Sequence, residues 1–413
     1  MARAVGTAAS DAAKAWFARR LDGAAAIARP FGDAARRAAD RARSAHPAGP
    51  RNALLCTVLV ALVFGMLIQL SHAATTLPPE AFRGQMLEQT AFRLAGLVLL
   101  IAGMALGPRR IEPLIPAATV GAFVLLVLCF VPGFEQPLNG SHRWIRILGR
   151  GPSIQASELA RVALVLWAAR RCALLDDDLG DLRRGFVPTL LVGLLAASLV
   201  LKEPDLGGAL LLLFCFGATL YVGGARMKHV GLVGAMAAVL LLLAIQVFSH
   251  VRERFAVWAG ESTNSQVSRA AEAMASGDLF GVGFAQGGFR NAGLQYMQTD
   301  YVFALVGEEL GMFGVLLVVG IFAAFAWHAL RLVLCIHDRF AALAAFGLTT
   351  SVGLQALIHL QVVTGLAPPK GMALPFISDG GSGLLAACAA VGLALGAARH
   401  AAPSQETHGS ASG

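Results

Sequence analysis

Ten long runs of apolar residues constrain the fold of this chain more than any other feature. They cover 53–70, 91–107, 114–132, 157–174, 186–201, 205–222, 229–250, 301–327, 341–365 and 380–398. A membrane-spanning helix needs about 20 mostly apolar residues, and only helices or closed barrels satisfy the backbone in lipid. Barrel strands alternate polar and apolar residues, so runs this continuous exclude a barrel. The sequence predicts an all-α integral membrane protein with about ten transmembrane helices.

Composition agrees with a membrane protein. Hydrophobic residues make up 56% of the 413 residues and charged residues only 14%, whereas soluble domains carry roughly 25% charge. The net charge of +8 fits a basic inner face against anionic lipid, so no nucleic-acid partner is predicted. The six cysteines lie in the apolar runs or at their inner ends without metal-ligand spacing, which predicts free thiols.

The distribution of Lys and Arg predicts the orientation. These residues concentrate in segment 1–51 and in the loops on the same side of the spans, and basic segments remain cytoplasmic. Both termini are therefore predicted inside, with a long outer loop at 251–299 between the seventh and eighth helices. We expect a flexible cytoplasmic extension at 1–50, a polytopic membrane domain at 51–400 and a disordered tail at 401–413.

The stretch "TDYVFALVGEELG" places an acidic residue at the start of an apolar run. Asp300 lies at the predicted outer end of a helix, where apolar surroundings adjust the pKa of a general base. An equally good interpretation is a helix N-cap, since Asp favours that position. Glu308 lies about 12 Å further along a helix. It and Glu309 are expected inside the bundle, paired with a basic residue or protonated.

Basic and acidic residues also stand beside the neighbouring outer segments. In "GSHRWIR", Arg143 is suited to phosphate, or alternatively to anchoring on lipid headgroups. In "LKEPDLGG", Lys202 and Asp205 are charges near lipid, which usually face a cavity or each other. Glu158 favours a helix start, but it also stands three residues before Arg161, which allows an ion pair within the membrane.

A further outer segment, "APPKGMALPFISDGGSG", combines prolines and glycines with polar side chains. Proline and glycine at membrane depth indicate non-helical backbone that lines a cavity. Lys370 is suited to phosphate, and Ser378 and Asp379 are further polar candidates for binding. The alternative is a rigid outer loop without chemistry.

Taken together, these segments resemble the SEDS family (shape, elongation, division, sporulation), which contains the FtsW and RodA polymerases of bacterial peptidoglycan. The similar segments are "GSHRWI", "SIQASELARVALV", "KEPDLGGALLL", "GDLFGVGFAQG", "TDYVFALVGEELGMFGVLLV" and "LPFISDGGSG", in the family's order. The segments "GEELG", "QALI" and "PKGMALPFIS" are more similar to FtsW than to RodA. The resemblance implies a ten-helix glycosyltransferase of the bacterial cytoplasmic membrane.

The resemblance also implies a reaction and assigns residues to it. Lipid II units would be joined at the outer face by an inverting β-1,4 transfer, with Asp300 as general base. For such a reaction, Lys370, Arg143 and also Lys202 are candidates, chosen by their charge, to steady the leaving diphosphate. A divalent cation, Mg or Mn, is implied by family analogy, although the sequence offers no ligand set for it. Implied partners are lipid II, a class B penicillin-binding protein and other division proteins.

The sequence departs from the family pattern at several places near these motifs. The usual Pro-Glu-x-His before Thr-Asp is replaced by Gln295-Tyr296-Met297-Gln298. Asp379 stands where Tyr is usual, Glu203 where Gln is usual, and His359 where Asn is usual. Asp379 is a candidate to restore polarity near Asp300.

Two other functions remain open from the sequence. One is a lipid II flippase or transporter, in which Glu308, Glu309 and Lys202 relay ions or move a headgroup. The other is a non-catalytic scaffold for division proteins. Polar segments concentrate on the outer side, which favours chemistry at one face over transport.

Overall fold

The structure, a computed structural model, describes residues 47–132, 134–138, 141–146, 153–247, 249–260, 266–289 and 296–400. Its α-helices in chain order are α1 (Ala48–Thr76), α2 (Pro79–Ile111), α3 (Ile115–Leu128), α4 (Ala156–Leu175), α5 (Val187–Lys202), α6 (Leu206–Gly223), α7 (Met227–Val247), α8 (Ser249–Trp258), α9 (Gln266–Ser276), α10 (Val302–Cys335), α11 (Arg339–Val363) and α12 (Gly381–Gly396). Short 3-10 or π-helical turns cover Glu112–Leu114, Asp176–Gly180, Leu182–Phe186 and Ala397–His400.

Every apolar run of the sequence falls on one of these helices. Six helical segments are long and apolar enough to cross a membrane: Ala48–Thr76, Pro79–Leu128, Leu182–Lys202, Leu206–Gly223, Val302–Cys335 and Arg339–Val363. Two shorter apolar helices cover Met227–Leu243 and Gly381–Gly396. The prediction of an all-α membrane protein is confirmed, and the number of ten spans stays a prediction.

A small antiparallel sheet interrupts the helices before α4. It consists of β1 (Glu135–Leu138), β2 (Ser141–Ile145) and β3 (Ile154–Gln155) in the order β1-β2-β3. Strand β3 leads directly into α4. The sequence analysis did not predict this sheet, which fixes β2 beside the outer ends of the helices.

Two long helices are kinked at glycines with left-handed backbone. Gly107 of α2 has φ 65° and precedes Pro108. Gly311 of α10 has φ 61°. Both conformations suit glycine because other residues pay a steric cost there. The second kink divides α10 into a fully buried first part and a longer second part with exposed apolar side chains.

Glycines also bring α2 and α12 into close backbone contact. A Cβ atom at Gly103 would lie 2.8 Å from the Leu393 nitrogen, and one at Gly396 would lie 2.7 Å from the Gly103 carbonyl oxygen. Gly103 and Gly107 on α2, like Gly392 and Gly396 on α12, are four residues apart. This spacing is typical of closely packed helices in membranes, where small residues let the backbones approach.

Charged groups separate to the two ends of the bundle. At one end Arg109 lies 2.6 Å from Glu112 and contacts Asp338, while Arg170 lies 3.7 Å from Glu112. These residues come from segments predicted on the inner side. The outer segments meet at the opposite end, where they surround Asp300.

The predicted terminal segments lie outside the described residues. They are the extension at 1–50, of which only 47–50 are described, and the tail at 401–413. Helix α1 begins at Ala48, within the predicted extension. The two terminal segments and their cytoplasmic location stay predictions.

Candidate active site

The outer end of the bundle contains a cleft of about 460 Å³. Among the described residues, its walls come from β2, β3, α4, α6, α8, α12 and connecting loops. The predicted site residues among them are Arg143, Glu158, Asp205, Asp300 and Asp379. The structure therefore brings together side chains that are more than 200 positions apart in the sequence.

Asp300 belongs to a tight turn just before α10. The Tyr296 carbonyl accepts the backbone N–H groups of Thr299 and Asp300 at 3.1 and 2.9 Å. Helix α10 begins at Val302, its N-cap residue is Tyr301, and no side chain caps it. The N-cap interpretation of Asp300 is therefore wrong, and its carboxylate is left to face the cleft.

Neighbouring elements fasten this turn from both sides. The Gln298 carbonyl accepts the Asp379 N–H and the Gln69 amide, both at 2.9 Å. The Ser378 hydroxyl donates to the Thr299 carbonyl at 2.6 Å and accepts the Leu374 N–H at 2.8 Å. Helix α1 and the loop before α12 thus fix the position of Asp300. Ser378, predicted to bind substrate, is buried and fastens the turn instead.

Opposing effects set the protonation of Asp300. Burial raises the pKa of its carboxyl to about 6, while Arg143, Arg254 and Lys370 act to lower it. At neutral pH the group is mostly ionised and still basic enough to accept a proton. This is the combination that general-base catalysis requires.

The hairpin between α5 and α6 holds Arg143 in the cleft. Its guanidinium donates to the Pro204 carbonyl at 2.5 Å and to the Glu203 carbonyl at 3.4 Å. It also lies 4.0 Å from Asp205, which caps α6 by accepting the Gly208 N–H at 2.8 Å. These contacts hold the Arg143 guanidinium where it can bind an anion in the cleft. Anchoring on lipid headgroups would not require such contacts.

Lys370 lies behind the cleft wall formed by Gly371 and Met372. Its side chain crosses the backbone of Gly207, where an added Cβ would overlap it, and its ammonium contacts the Met372 sulfur. Burial lowers the pKa of Lys370 to about 8, and Asp205 acts to raise it. Lys370 therefore carries its charge at neutral pH near Asp300.

Among the described residues, Arg254 is a cleft cation that the sequence analysis did not predict. It is half-buried on α8 and lines the cleft. Burial lowers its pKa, and among its charged neighbours Asp205 and Asp300 act to raise it. In the sequence, Arg254 is one of two arginines in "VRERF" of the long outer loop, and a glutamate separates the two. Nothing else in the sequence indicates that it lies in the cleft.

A buried polar chain joins α4, α11 and the loop after α11. Arg161 donates to Glu158 at 2.5 Å and to the Gln355 side chain at 2.6 Å. Gln355 donates in turn to the Ala373 carbonyl at 3.1 Å. The ion pair predicted between Glu158 and Arg161 is confirmed, and it forms part of the cleft wall.

The remaining predicted residues have other positions. Lys202 is exposed at the end of α5 and is not among the cleft-lining residues. Glu308 accepts the N–H groups of Gly288 and Phe289, the latter at 3.0 Å. Glu309 accepts the Ser71 hydroxyl. Both glutamates are buried inside the bundle, as predicted, and fasten α10 to neighbouring segments. The described contacts of Glu308 are backbone amides, so pairing with a basic residue, one of the two predicted alternatives, is not seen among them.

Asp379 lies at the cleft edge toward α2. One oxygen, Oδ2, accepts the side-chain amides of Gln85 and Gln89 at 3.3 and 3.1 Å. Burial raises the pKa of Asp379, while these hydrogen bonds and Arg93 lower it. Asp300 and Asp379 therefore share one cleft, and the cations Arg143, Arg254 and Lys370 influence Asp300.

The family model of the FtsW, RodA and SpoVE proteins, described as "Cell cycle protein", matches residues 51–402. The chain belongs to the FtsW/RodA/SpoVE family. Family membership and the apolar helices make it a multi-pass protein of the cytoplasmic membrane, as predicted.

Similar proteins include named members of this family. A Geobacter metallireducens protein named "Probable peptidoglycan glycosyltransferase FtsW" is 31% identical over 313 residues, which cover 74% of this chain and 83% of the relative. Stage V sporulation protein E of Bacillus subtilis is 34% identical over 284 residues, which cover 67% of this chain and 77% of the relative.

Several solved structures share the fold. A chain from the study "Structural coordination of polymerization and crosslinking by a peptidoglycan synthase complex" superposes with a TM-score of 0.70 at 25% identity, covering 84% of this chain and 96% of its own. The Thermus thermophilus rod shape determining protein RodA gives 0.62 at 25% identity, covering 84% of this chain and 95% of its own.

Two of the departures from the FtsW/RodA/SpoVE pattern are buried polar groups. Burial raises the pKa of Glu203 to about 8, and a hydrogen bond with Cys129 acts to lower it. His359 lies 2.6 Å through Nδ1 from the Met372 carbonyl. His359 therefore holds the backbone next to Gly371, whereas the Glu203 carboxyl lies behind the hairpin whose backbone carbonyls accept Arg143.

The cation implied by family analogy has no visible ligand set among the described residues. In this part of the chain, no three His, Cys, Asp or Glu side chains converge as a metal site would require.

Proposed function

We propose that this protein is a peptidoglycan glycosyltransferase that polymerises lipid II at the outer face of the cytoplasmic membrane during cell division. The observation that carries the proposal is the carboxylate of Asp300, which caps no helix and lines the cleft. Arg143, Arg254 and Lys370 lie near enough to it to lower its pKa. Membership of the family and the printed name of the Geobacter relative agree with it.

Asp300 is the general base in the proposed reaction. The 4-hydroxyl of the acceptor GlcNAc attacks the anomeric carbon of the donor MurNAc, and Asp300 takes the hydroxyl proton. The bond from that carbon to the phosphate oxygen breaks, and undecaprenyl diphosphate leaves. Attack opposite the leaving group inverts the configuration and forms the β-1,4 linkage. A carboxyl pKa of about 6 suits this role near neutral pH.

The basic side of the cleft is suited to the leaving diphosphate. Arg143 is held by backbone carbonyls of the α5–α6 hairpin, so its guanidinium needs little reorganisation to bind an anion. Arg254 and Lys370 add charge near the same position. Fixed cations beside a departing anion stabilise the transition state, where negative charge grows.

Asp379 is suited to the saccharide on the other side. Its Oδ2 is held by Gln85 and Gln89, and among the described residues no hydrogen bond reaches Oδ1. That oxygen is available to accept a sugar hydroxyl. Asp379→Asn is expected to raise the KM for lipid II more than it lowers kcat, and unchanged kinetics would remove this assignment.

A polymerisation assay tests the proposed function. Purified protein is incubated with fluorescent lipid II, and the products are separated by size. A ladder of glycan strands is expected. A flippase would instead move labelled lipid II across vesicle membranes without a ladder, and a scaffold would do neither and would tolerate Asp300→Ala in dividing cells.

We also propose a class B penicillin-binding protein as partner, together with other division proteins. One similar structure comes from a peptidoglycan synthase complex in which polymerisation and crosslinking are coordinated. Adding the purified transpeptidase is expected to increase the polymerisation rate. An unchanged rate, with no co-purification, would contradict the partnership.

A further inference from the structure

A short loop after α9 exposes large apolar side chains. Leu279, Phe280, Val282 and Phe284 are exposed, and Phe280 retains 78% of its accessible surface. We call residues 279–284 the apolar tip loop. Soluble surfaces rarely group large apolar residues so closely, and such a patch usually marks a binding or membrane surface.

Backbone hydrogen bonds fix the apolar tip loop to the kink of α10. The N–H of Val282 donates to the Glu308 carbonyl at 2.9 Å, and the N–H of Gly283 donates to the Glu309 carbonyl at 3.2 Å. The Met312 N–H donates to the Asp278 carbonyl at 3.0 Å. These bonds satisfy backbone groups that the kink at Gly311 frees, so the loop has a fixed position along α10.

The exposure pattern of α10 places the lipid boundary at this kink. Residues 302–309 are all buried in protein. Beyond the kink, Met312, Phe313, Leu316 and Leu317 are exposed, as expected for a helix face in lipid. From Met312 to Cys335 the helix is about 36 Å long, enough to cross a hydrocarbon core of about 30 Å.

The apolar tip loop joins this lipid-facing surface. The rings of Phe280 and Phe313 lie 5.4 Å apart, so the exposed apolar surface continues from α10 onto the loop. We propose that the apolar tip loop inserts its side chains into the outer leaflet, at the boundary between headgroups and acyl chains. The partner is thus the lipid surface itself.

Helix α9, which precedes the apolar tip loop, does not provide this contact. Its Ala270 and Ala273 are fully buried in protein, and α9 packs mainly on α10. Its exposed positions include Ala271 and the charged Glu272. The apolar face of α9 is therefore occupied, and the loop that follows is the lipid-facing element.

Insertion of the apolar tip loop also affects the position of Asp300 relative to the lipid. Its relevance to catalysis rests on the proposed function. Asp300 lies two residues before α10, which then runs about 14 Å from Val302 to the kink at Gly311. A loop fixed at the lipid boundary therefore sets the height of the carboxylate above the acyl chains. A lipid-linked substrate is held at a similar height by its own chain.

Spin-label accessibility measures the insertion directly. Phe280→Cys and Phe284→Cys are labelled in a Cys56→Ala background, because Cys56 is the exposed cysteine among the described residues. Glu272→Cys is the control for water and Leu316→Cys for lipid. The full-length protein is reconstituted in phospholipid nanodiscs, and collision with oxygen is compared with collision with a water-soluble nickel chelate.

Positions 280 and 284 are expected to resemble position 316, with collisions dominated by oxygen. At position 272, collisions with the nickel chelate are expected to dominate. If positions 280 and 284 instead resemble 272, the loop lies in water and the proposal is overturned. Because the measurement needs no substrate, this result does not depend on whether the protein polymerises lipid II.

Discussion

At the scale of single residues, the reactivity of Asp300 results from a balance between burial and charge. Desolvation raises the pKa of the carboxyl to about 6 even though three cations oppose that change. Lys370 shows the reverse balance, because burial lowers its pKa to about 8 while Asp205 raises it. The two values leave a range of pH in which the base is ionised and the ammonium is protonated.

The polymerisation rate is therefore expected to depend on pH with two limbs. Below about pH 6 Asp300 becomes protonated and cannot accept a proton, so the rate falls about tenfold per pH unit. Above about pH 8 Lys370 loses its charge and the rate falls again. Initial rates across this range give the profile. A Lys370→Arg variant should lose only the alkaline limb.

Gly371 provides a second prediction at this scale. A Cβ atom there would lie 2.7 Å from Oδ2 of Asp300, so Gly371→Ala must displace the carboxylate. Small displacements of a catalytic group cost about 10- to 100-fold in kcat. Gly84→Ala is the matched control, because a Cβ at Gly84 has no neighbour within 4 Å. Equal kcat values for the two variants would contradict the position assigned to Asp300.

The motifs gave the type and position of each candidate site residue, and the functional roles of these residues stay predictions. Asp300 and Arg143 line one cleft. The segments of both residues were predicted on the same outer side. Ser378 could not be assigned correctly, since its hydrogen bond to Thr299 depends on tertiary contact. Arg254 stood in no predicted motif, and only the folding of α8 over the cleft gives it a role.

At the scale of secondary structure, the buried polar chain through α4 and α11 stabilises the cleft wall. Glu158→Gln would leave Arg161 buried without its carboxylate, and breaking such a pair costs about 3 to 5 kcal/mol. Glu112→Gln removes a more exposed pair at the other end and should cost less than about 1 kcal/mol. Thermal unfolding in detergent compares them, and equal losses would argue against the stabilising role of this chain.

The helices themselves were predictable because continuous apolar length is a strong signal. All ten runs coincide with helices. The sheet was not predictable, since its strands are only two to five residues long. The kink at Gly311 lay inside an apolar run, and only its contact with the apolar tip loop reveals that α10 leaves the protein core there.

At the scale of the whole molecule, the two ends of the bundle have different roles. One end contains the cleft, and the other contains ion pairs of Arg109 with Glu112 and Asp338. Among the described residues, the polar cleft opens at one end of the bundle, which agrees with chemistry at one face. A transporter would need polar access from both sides.

The orientation of the ends is open to measurement. Glu272→Cys is expected to react with a membrane-impermeant thiol reagent in intact spheroplasts, because α9 lies at the cleft end. Arg183→Cys is expected to react only after the membrane is permeabilised, because it lies in a predicted inner loop and is exposed. Both variants use the Cys56→Ala background. The opposite pattern would place the cleft in the cytoplasm and contradict the proposed reaction.

The most direct test of the central claim compares wild-type protein with Asp300→Asn under saturating lipid II. The two side chains are nearly equal in size, so binding and folding are expected to persist while the proton acceptor is lost. We predict that the variant binds lipid II with similar affinity but forms no glycan ladder. A variant that polymerises at the wild-type rate would contradict the role of Asp300 as the general base.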